Sequence, residues 1–91
     1  MDDRILEKIA AEFPLQSLTD QERQAEELPI TRDPKPKRCR AWVRFGPHAM
    51  HVDAVVVAWT DDACGVEFQV RDRTLRCWVW RNAVTPVGRQ R

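Results

Sequence analysis

The chain has 91 residues, which is enough for one small domain. Its 15 basic and 14 acidic residues leave a formal net charge of +1, so no strong overall field favours nucleic acid or an anionic membrane surface. No apolar run approaches the ~20 residues that a membrane-spanning helix needs, and the opening Met1-Asp2-Asp3 has no apolar signal core. We therefore expect a cytoplasmic protein that does not engage a membrane.

The N-terminal segment, residues 1–28, is predicted to be helical and acidic. It carries eight acidic and three basic residues, whereas residues 29–91 carry twelve basic and six acidic ones. Asp2 to Phe13 have the pattern of an amphipathic helix that begins at aspartates and ends before Pro14. The apolar stripe of this helix consists of Ile5, Leu6, Ile9 and Phe13.

A second short helix and a linker are predicted before the β-rich part of the chain. Thr19 and Glu22 have the spacing of a capping box, which favours a helix from Asp20 to Leu28. Prolines at positions 29, 34 and 36 favour extended backbone, so residues 29–38 are predicted to form a basic, proline-rich linker. Residues 39–91 then complete one compact domain.

The stretch from Cys39 to Val87 has the pattern of short β-strands. Cys39 to Phe45 alternate strictly between apolar residues on one face and arginine or tryptophan on the other. Connections of hairpin length separate this run from the next ones. The further strands are predicted at Val52–Trp59, Cys64–Arg71, Leu75–Trp80 and Val84–Val87. Four or five antiparallel strands of this length most economically close into a small barrel.

Short segments mark this strand pattern: Ala41-Trp42-Val43, Ala54-Val55-Val56, Val66-Glu67-Phe68, and Trp78-Val79-Trp80 followed by Val84-Thr85-Pro86. In this pattern residues 39–87 resemble the SH3-like and Tudor-like barrels. The resemblance implies a tight helical turn at Arg81 to Ala83, between the last two strands. It implies no activity, because small barrels serve many unrelated functions. More loosely, the chain is similar to short actinobacterial and actinophage proteins with Ala-Trp-Thr and Trp-Val-Trp patterns.

The predicted fold is therefore α+β: an N-terminal amphipathic helix, or two, followed by a small antiparallel SH3-like β-barrel of four or five strands. An isolated helix of about twelve residues is marginal in water, so the first helix must dock on another surface. One alternative is the barrel itself, where the helix closes an open end or covers the outer tryptophan face. The other is a second copy or a partner, which leaves the chain a monomer or a weak homodimer.

Tryptophan and arginine on the outer strand faces are the most informative residues for function. Large exposed aromatic side chains are expected either to be covered by another segment of the chain or to bind a partner. Trp and Arg are the commonest hot-spot residues of protein interfaces. The candidate binding residues are Trp42, Trp78, Trp80, Arg40, Arg44 and Arg76. We predict a non-enzymatic interaction module that binds a protein partner through them. The alternative is nucleic-acid binding by the basic barrel half, with bases stacked on the aromatic rings.

No catalytic residues, metal ligands or cofactors are predicted. The three cysteines lie on inward positions of three different strands, where a free thiol behaves as a small hydrophobe. They are 25 and 13 residues apart, which is unlike the paired spacing of structural zinc sites, although His48 and His51 lie in one loop. A filled barrel of this size rarely leaves a water-excluding pocket, so we do not expect an enzyme.

Overall fold

A computed structural model describes residues 3–24 and 28–87. Within them, one α-helix, α1 (Asp3–Glu12), precedes five antiparallel strands. The strands are β1 (Thr31–Phe45), β2 (His48–Trp59), β3 (Ala63–Val70), β4 (Arg73–Trp80) and β5 (Val84–Pro86), and a 3₁₀ turn, Arg81–Ala83, joins β4 to β5. The α+β class is thus confirmed. Among the described residues, no helix has the length and apolar character needed to cross a bilayer.

Alternation along β1 places its apolar side chains in the core, as predicted. Ala41, Val43 and Phe45 are at most 1% exposed, whereas Trp42 between them is 51% exposed. Each strand residue points to the face opposite its neighbour, so one buried face leaves the other open. The same buried face continues across the sheet through Val52, Ala54, Val66, Phe68, Val70, Cys77 and Val79.

The five strands form one sheet in the order β4-β3-β2-β1-β5. β5 pairs with Cys39 to Ala41 of β1, at the edge opposite β4, although only the three-residue turn separates β4 from β5. The sheet must therefore bend until its two edges approach each other at this end. Within the described residues the two edges do not pair, so the predicted closed barrel is not confirmed.

Residues 14–18 provide the physical reason why these edges do not pair. The N–H of Gln16 donates to the carbonyl of Arg44 in β1, and the N–H of Gly46, directly after β1, donates to the carbonyl of Pro14; each bond is 2.9 Å long. The N–H of Leu18 then donates to the carbonyl of Trp78 in β4 at 3.0 Å. The segment occupies backbone groups that β1 and β4 would need to pair with each other, and it protects both edges.

The first strand is longer than predicted and includes most of the predicted linker, residues 29–38. β1 begins at Thr31 and pairs with the end of β2. Its register shifts between Arg32 and Lys37, where Pro34 and Pro36 lie. Proline has no N–H to donate to a sheet and is tolerated where pairing is irregular, so the prolines interrupt the strand without ending it.

Helix α1 docks on the core side of the sheet. Leu6 is 7% exposed and belongs to the core, and the ring of Phe13 meets that of His48 edge-on at 4.6 Å. Glu7 pairs with Arg71, which follows β3, at 2.6 Å. The helix therefore covers aliphatic residues. The alternative prediction, that it covers the outer tryptophan face, is wrong.

The predicted second helix, Asp20–Leu28, does not form over residues 20–24, and residues 25–27 lie outside the described part. The capping box itself is present. The N–H of Glu22 donates to Thr19 Oγ1 at 3.0 Å, and the N–H of Thr19 donates to Glu22 Oε1 at 2.9 Å. Gln24 then has a φ of 55°, a left-handed conformation that ends the helical turn after a single cycle.

A tryptophan-lined cavity as the candidate binding site

Three of the predicted tryptophans converge on one surface cavity of about 500 Å³. The cavity lies between the outer faces of β1 and β4 and the segment that crosses between them. Trp42 and Arg44 come from β1, and Trp78 and Trp80 come from β4. The remaining lining residues are Gln16, Ser17, Leu18, Glu22, Val43, Ala49, Val79 and Ala83. Among the described side chains, none of those in α1 contributes to this lining.

Trp42 and Trp80 present open aromatic surface beside the cavity, at 51% and 44% exposed. Trp42 stacks on His51, its cross-strand neighbour, with ring centroids 4.5 Å apart and an interplanar angle of 11°. Directly opposed side chains on neighbouring strands contact each other, so His51 covers one face of the Trp42 indole. The remaining, exposed part of the indole is the surface that it offers to a partner.

Trp78 is half-buried and contacts both the sheet, at Gly65, and the side chain of Arg23. A Cβ placed on Gly65, its partner in β3, would lie 3.4 Å from the indole ring, so the ring rests directly over this glycine. The backbone N–H of Trp78 donates to Ser17 Oγ at 2.8 Å. The guanidinium of Arg23 also lies over this ring, with its Cζ 4.5 Å from the ring centroid.

Arg23 is the main feature of this site that the sequence did not indicate. Its side chain is only 8% exposed, and its Nη2 donates to Asp20 Oδ1 at 2.6 Å. Its Nε and Nη1 are buried without a hydrogen-bond partner among the described residues. The capping box predicts the local turn, but no sequence pattern connects Arg23 with a tryptophan 55 positions further along the chain.

The three predicted arginines do not act as one group. Arg44 lines the tryptophan cavity, with its Nη1 3.4 Å from the carbonyl of Pro47. Arg76 pairs with Glu67 across β3 and β4 at 2.6 Å. Arg40 pairs with Asp53 at 3.2 Å and lies in a separate cavity. The site is therefore formed by Trp42, Trp78, Trp80 and Arg44, while Arg40 and Arg76 lie outside it.

All three cysteines are buried and free. Burial raises the pKa of the Cys39 and Cys77 thiols from 9.0 to about 11, and it also raises that of Cys64. These groups are protonated near neutral pH and serve as apolar core residues. Among the described residues, no three His, Cys, Asp or Glu side chains are grouped in a way that could hold a metal ion.

No family model, curated protein or solved structure matches this chain. The SH3-like resemblance therefore stays a prediction.

Proposed function

We propose that this protein is a non-enzymatic interaction module that binds a protein partner at the tryptophan cavity. The observation that carries the proposal is the pair of rings at its rim, Trp42 and Trp80, each about half exposed beside one concave surface. Burying an aromatic ring of this size in an interface releases water from a large apolar area. Arg44 at the same cavity supplies donors that orient the partner.

The arrangement of charge favours a protein over nucleic acid as this partner. Binding to a phosphate backbone depends on Lys and Arg side chains that neutralise phosphates. Arg40 and Arg76, two of the basic residues on this face, already pair with Asp53 and Glu67. Arg23, over Trp78, likewise pairs with Asp20. Arg44 is the arginine of the predicted set that lines the cavity, and arginines that are largely paired with acids beside two open indoles are more typical of a protein interface.

The proposal also includes the type of fold, the cellular location and the oligomeric state. The strand order and the 3₁₀ turn before β5 support an SH3-like arrangement in which residues 14–18 take the place of direct pairing between β1 and β4. Such a chain acts as a cytoplasmic protein, either as a monomer or as a weak homodimer.

Site-specific photo-crosslinking tests the proposal in the cells that produce the protein. Ala49 is exposed and lines the cavity, so p-benzoylphenylalanine at this position samples the bound partner. The matched control carries the same group at Asp72, an exposed turn residue that does not line the cavity. We expect a discrete protein adduct from position 49 that is lost when Trp42 or Trp80 is replaced by alanine.

Two results would count against a protein partner. Equal adducts from positions 49 and 72, or adducts that persist without Trp42 and Trp80, would show that the cavity is not the contact surface. A single-stranded oligonucleotide that shifts the Trp42 and Trp80 indole resonances, with affinity falling steeply as salt is raised, would favour nucleic-acid binding instead. A contact centred on tryptophan should depend much less on salt.

A further inference from the structure

The guanidinium of Arg23 covers the indole ring of Trp78 in the way that a bound ligand would. It is brought there by the turn of residues 19–24, which we call the Arg23 turn, and not by either of the strands that form the site. The guanidinium lies over the ring, which also packs closely on Gly65. A planar cation over an indole face is a favourable arrangement, and arginine is well suited to it because its guanidinium is flat and weakly hydrated.

The guanidinium of Arg23 is only partly hydrogen-bonded in this contact. Of the three guanidinium nitrogens, Nη2 has a partner in Asp20, while Nε and Nη1 are buried without one among the described residues. A buried donor without a partner opposes the arrangement that buries it. The Arg23 turn is therefore held on Trp78 by forces that largely offset each other, and an incoming group with better-satisfied donors can replace it.

The acidic side chains near Trp78 favour a cation at the position of the Arg23 guanidinium. Asp20 pairs with Arg23, and Glu22 lines the cavity next to Trp78. Arg44 is the opposing charge at this cavity, but its Nη1 is turned towards the carbonyl of Pro47, in the connection between β1 and β2. Two acids thus accompany the guanidinium position, and Arg44 lies on the other strand of the site, β1.

From these contacts we propose that Trp78 is a binding position for an arginine side chain of the protein partner, and that Arg23 is its internal occupant. This inference rests on the proposed function, because it names the chemistry of the partner at the same cavity. In the closed form, Trp42 and Trp80 are open and Trp78 is covered. When the Arg23 turn is displaced, the three rings form one continuous surface, and the partner's arginine takes the place of Arg23.

The test uses the full chain and N-acetyl-arginine amide as the probe, followed through the indole N–H resonance of Trp78. We expect Arg23→Ala to show a saturable shift of this resonance. The wild-type protein should respond several-fold more weakly, because its apparent affinity is reduced by the fraction of molecules in which the cover is open. Arg73→Ala removes an exposed arginine at the start of β4 and should respond like the wild type. N-acetyl-lysine amide should bind less well than the arginine probe, since its ammonium group is not planar.

The proposal is overturned if Arg23→Ala and the wild type respond equally, or if Trp78 does not respond in Arg23→Ala. A second variant, Arg23→Lys, keeps the positive charge of the turn and guards against a structural change caused by the alanine. It should open the site partly and give an intermediate response, and a response equal to that of the wild type would contradict a specific role for the guanidinium. Photo-crosslinking at Ala49 reports on the protein partner independently, so an adduct there without any arginine response would overturn this inference alone.

Discussion

The stability of Arg23→Ala is a sharp test of how the Arg23 turn is held. Truncation to alanine removes the contact with Trp78, worth about 0.5–2 kcal/mol for a cation over an indole. It also removes an ion pair with Asp20, which is 87% exposed, so screening by water leaves this pair worth about 0–1 kcal/mol. Two further methylene groups of the stem leave a buried position, at about 0.8 kcal/mol each.

The same substitution removes two buried donors that lack a partner. Leaving a buried N–H unsatisfied costs about 1–3 kcal/mol, and Arg23 has two such groups, Nε and Nη1. The free energy gained by removing these unsatisfied donors is therefore similar in size to the free energy lost with the contacts of Arg23. We expect the free energy of unfolding of Arg23→Ala to lie within about 1 kcal/mol of the wild-type value, which is small for a residue that is only 8% exposed.

Urea denaturation followed by far-ultraviolet circular dichroism measures this difference. Trp78→Ala is the matched comparison, because it removes the other partner of the same contact. It should lower the free energy of unfolding by about 2–4 kcal/mol, since a half-buried ring that packs over Gly65 is lost. A loss of about 3 kcal/mol or more in Arg23→Ala would refute the reasoning, because it would mean that the buried guanidinium is well satisfied and strongly stabilising.

Three other substitutions test the fold. Phe45→Ala should cost about 3–5 kcal/mol in denaturant unfolding, because this ring is 1% exposed and leaves a cavity in a small core. Gly46→Ala should cost about 1–3 kcal/mol in the same measurement, since Gly46 has a φ of 58° and a Cβ there would lie 2.9 Å from Phe13 Cδ1; an unchanged midpoint would contradict the close approach of helix and turn. Burial raises the pKa of the Cys77 thiol to about 11, so above pH 9 the folded protein keeps a proton that the unfolded chain loses. The free energy of unfolding should therefore be intact below pH 9 and fall as the pH rises from 9 towards 11. Cys77→Ala should show a shallower decline of the thermal midpoint over this pH range, and an unchanged slope would mean that the thiol is not shielded from water.

Much of the sheet was predictable because its information is local. The strict alternation from Cys39 to Phe45 determines which residues of β1 face the core, and the structure buries that face. The 3₁₀ turn lies at Arg81 to Ala83, as the resemblance implied. The core-facing positions of the three cysteines were predictable in the same way, since successive side chains of a strand must point to opposite faces.

Predictions failed where contacts distant in sequence decided the outcome. The prolines at 34 and 36 indicated a linker, but pairing with β2 extends β1 through them. The capping box at Thr19 indicated a helix, but only one turn forms before Gln24 takes up a left-handed conformation. Local propensity favours a conformation weakly, and tertiary packing overrides it when the packing energy is larger.

The sequence by itself determined that the protein has a buried aliphatic face and an outer face rich in tryptophan and arginine. Only the tertiary structure decided what lies against each face. Helix α1 covers the aliphatic side, residues 14–18 separate β1 from β4, and Arg23 covers Trp78 while Trp42 and Trp80 stay open. The physical reason is that a period of two specifies the direction of each side chain, whereas the surface it meets depends on the competition of every other segment for the same area.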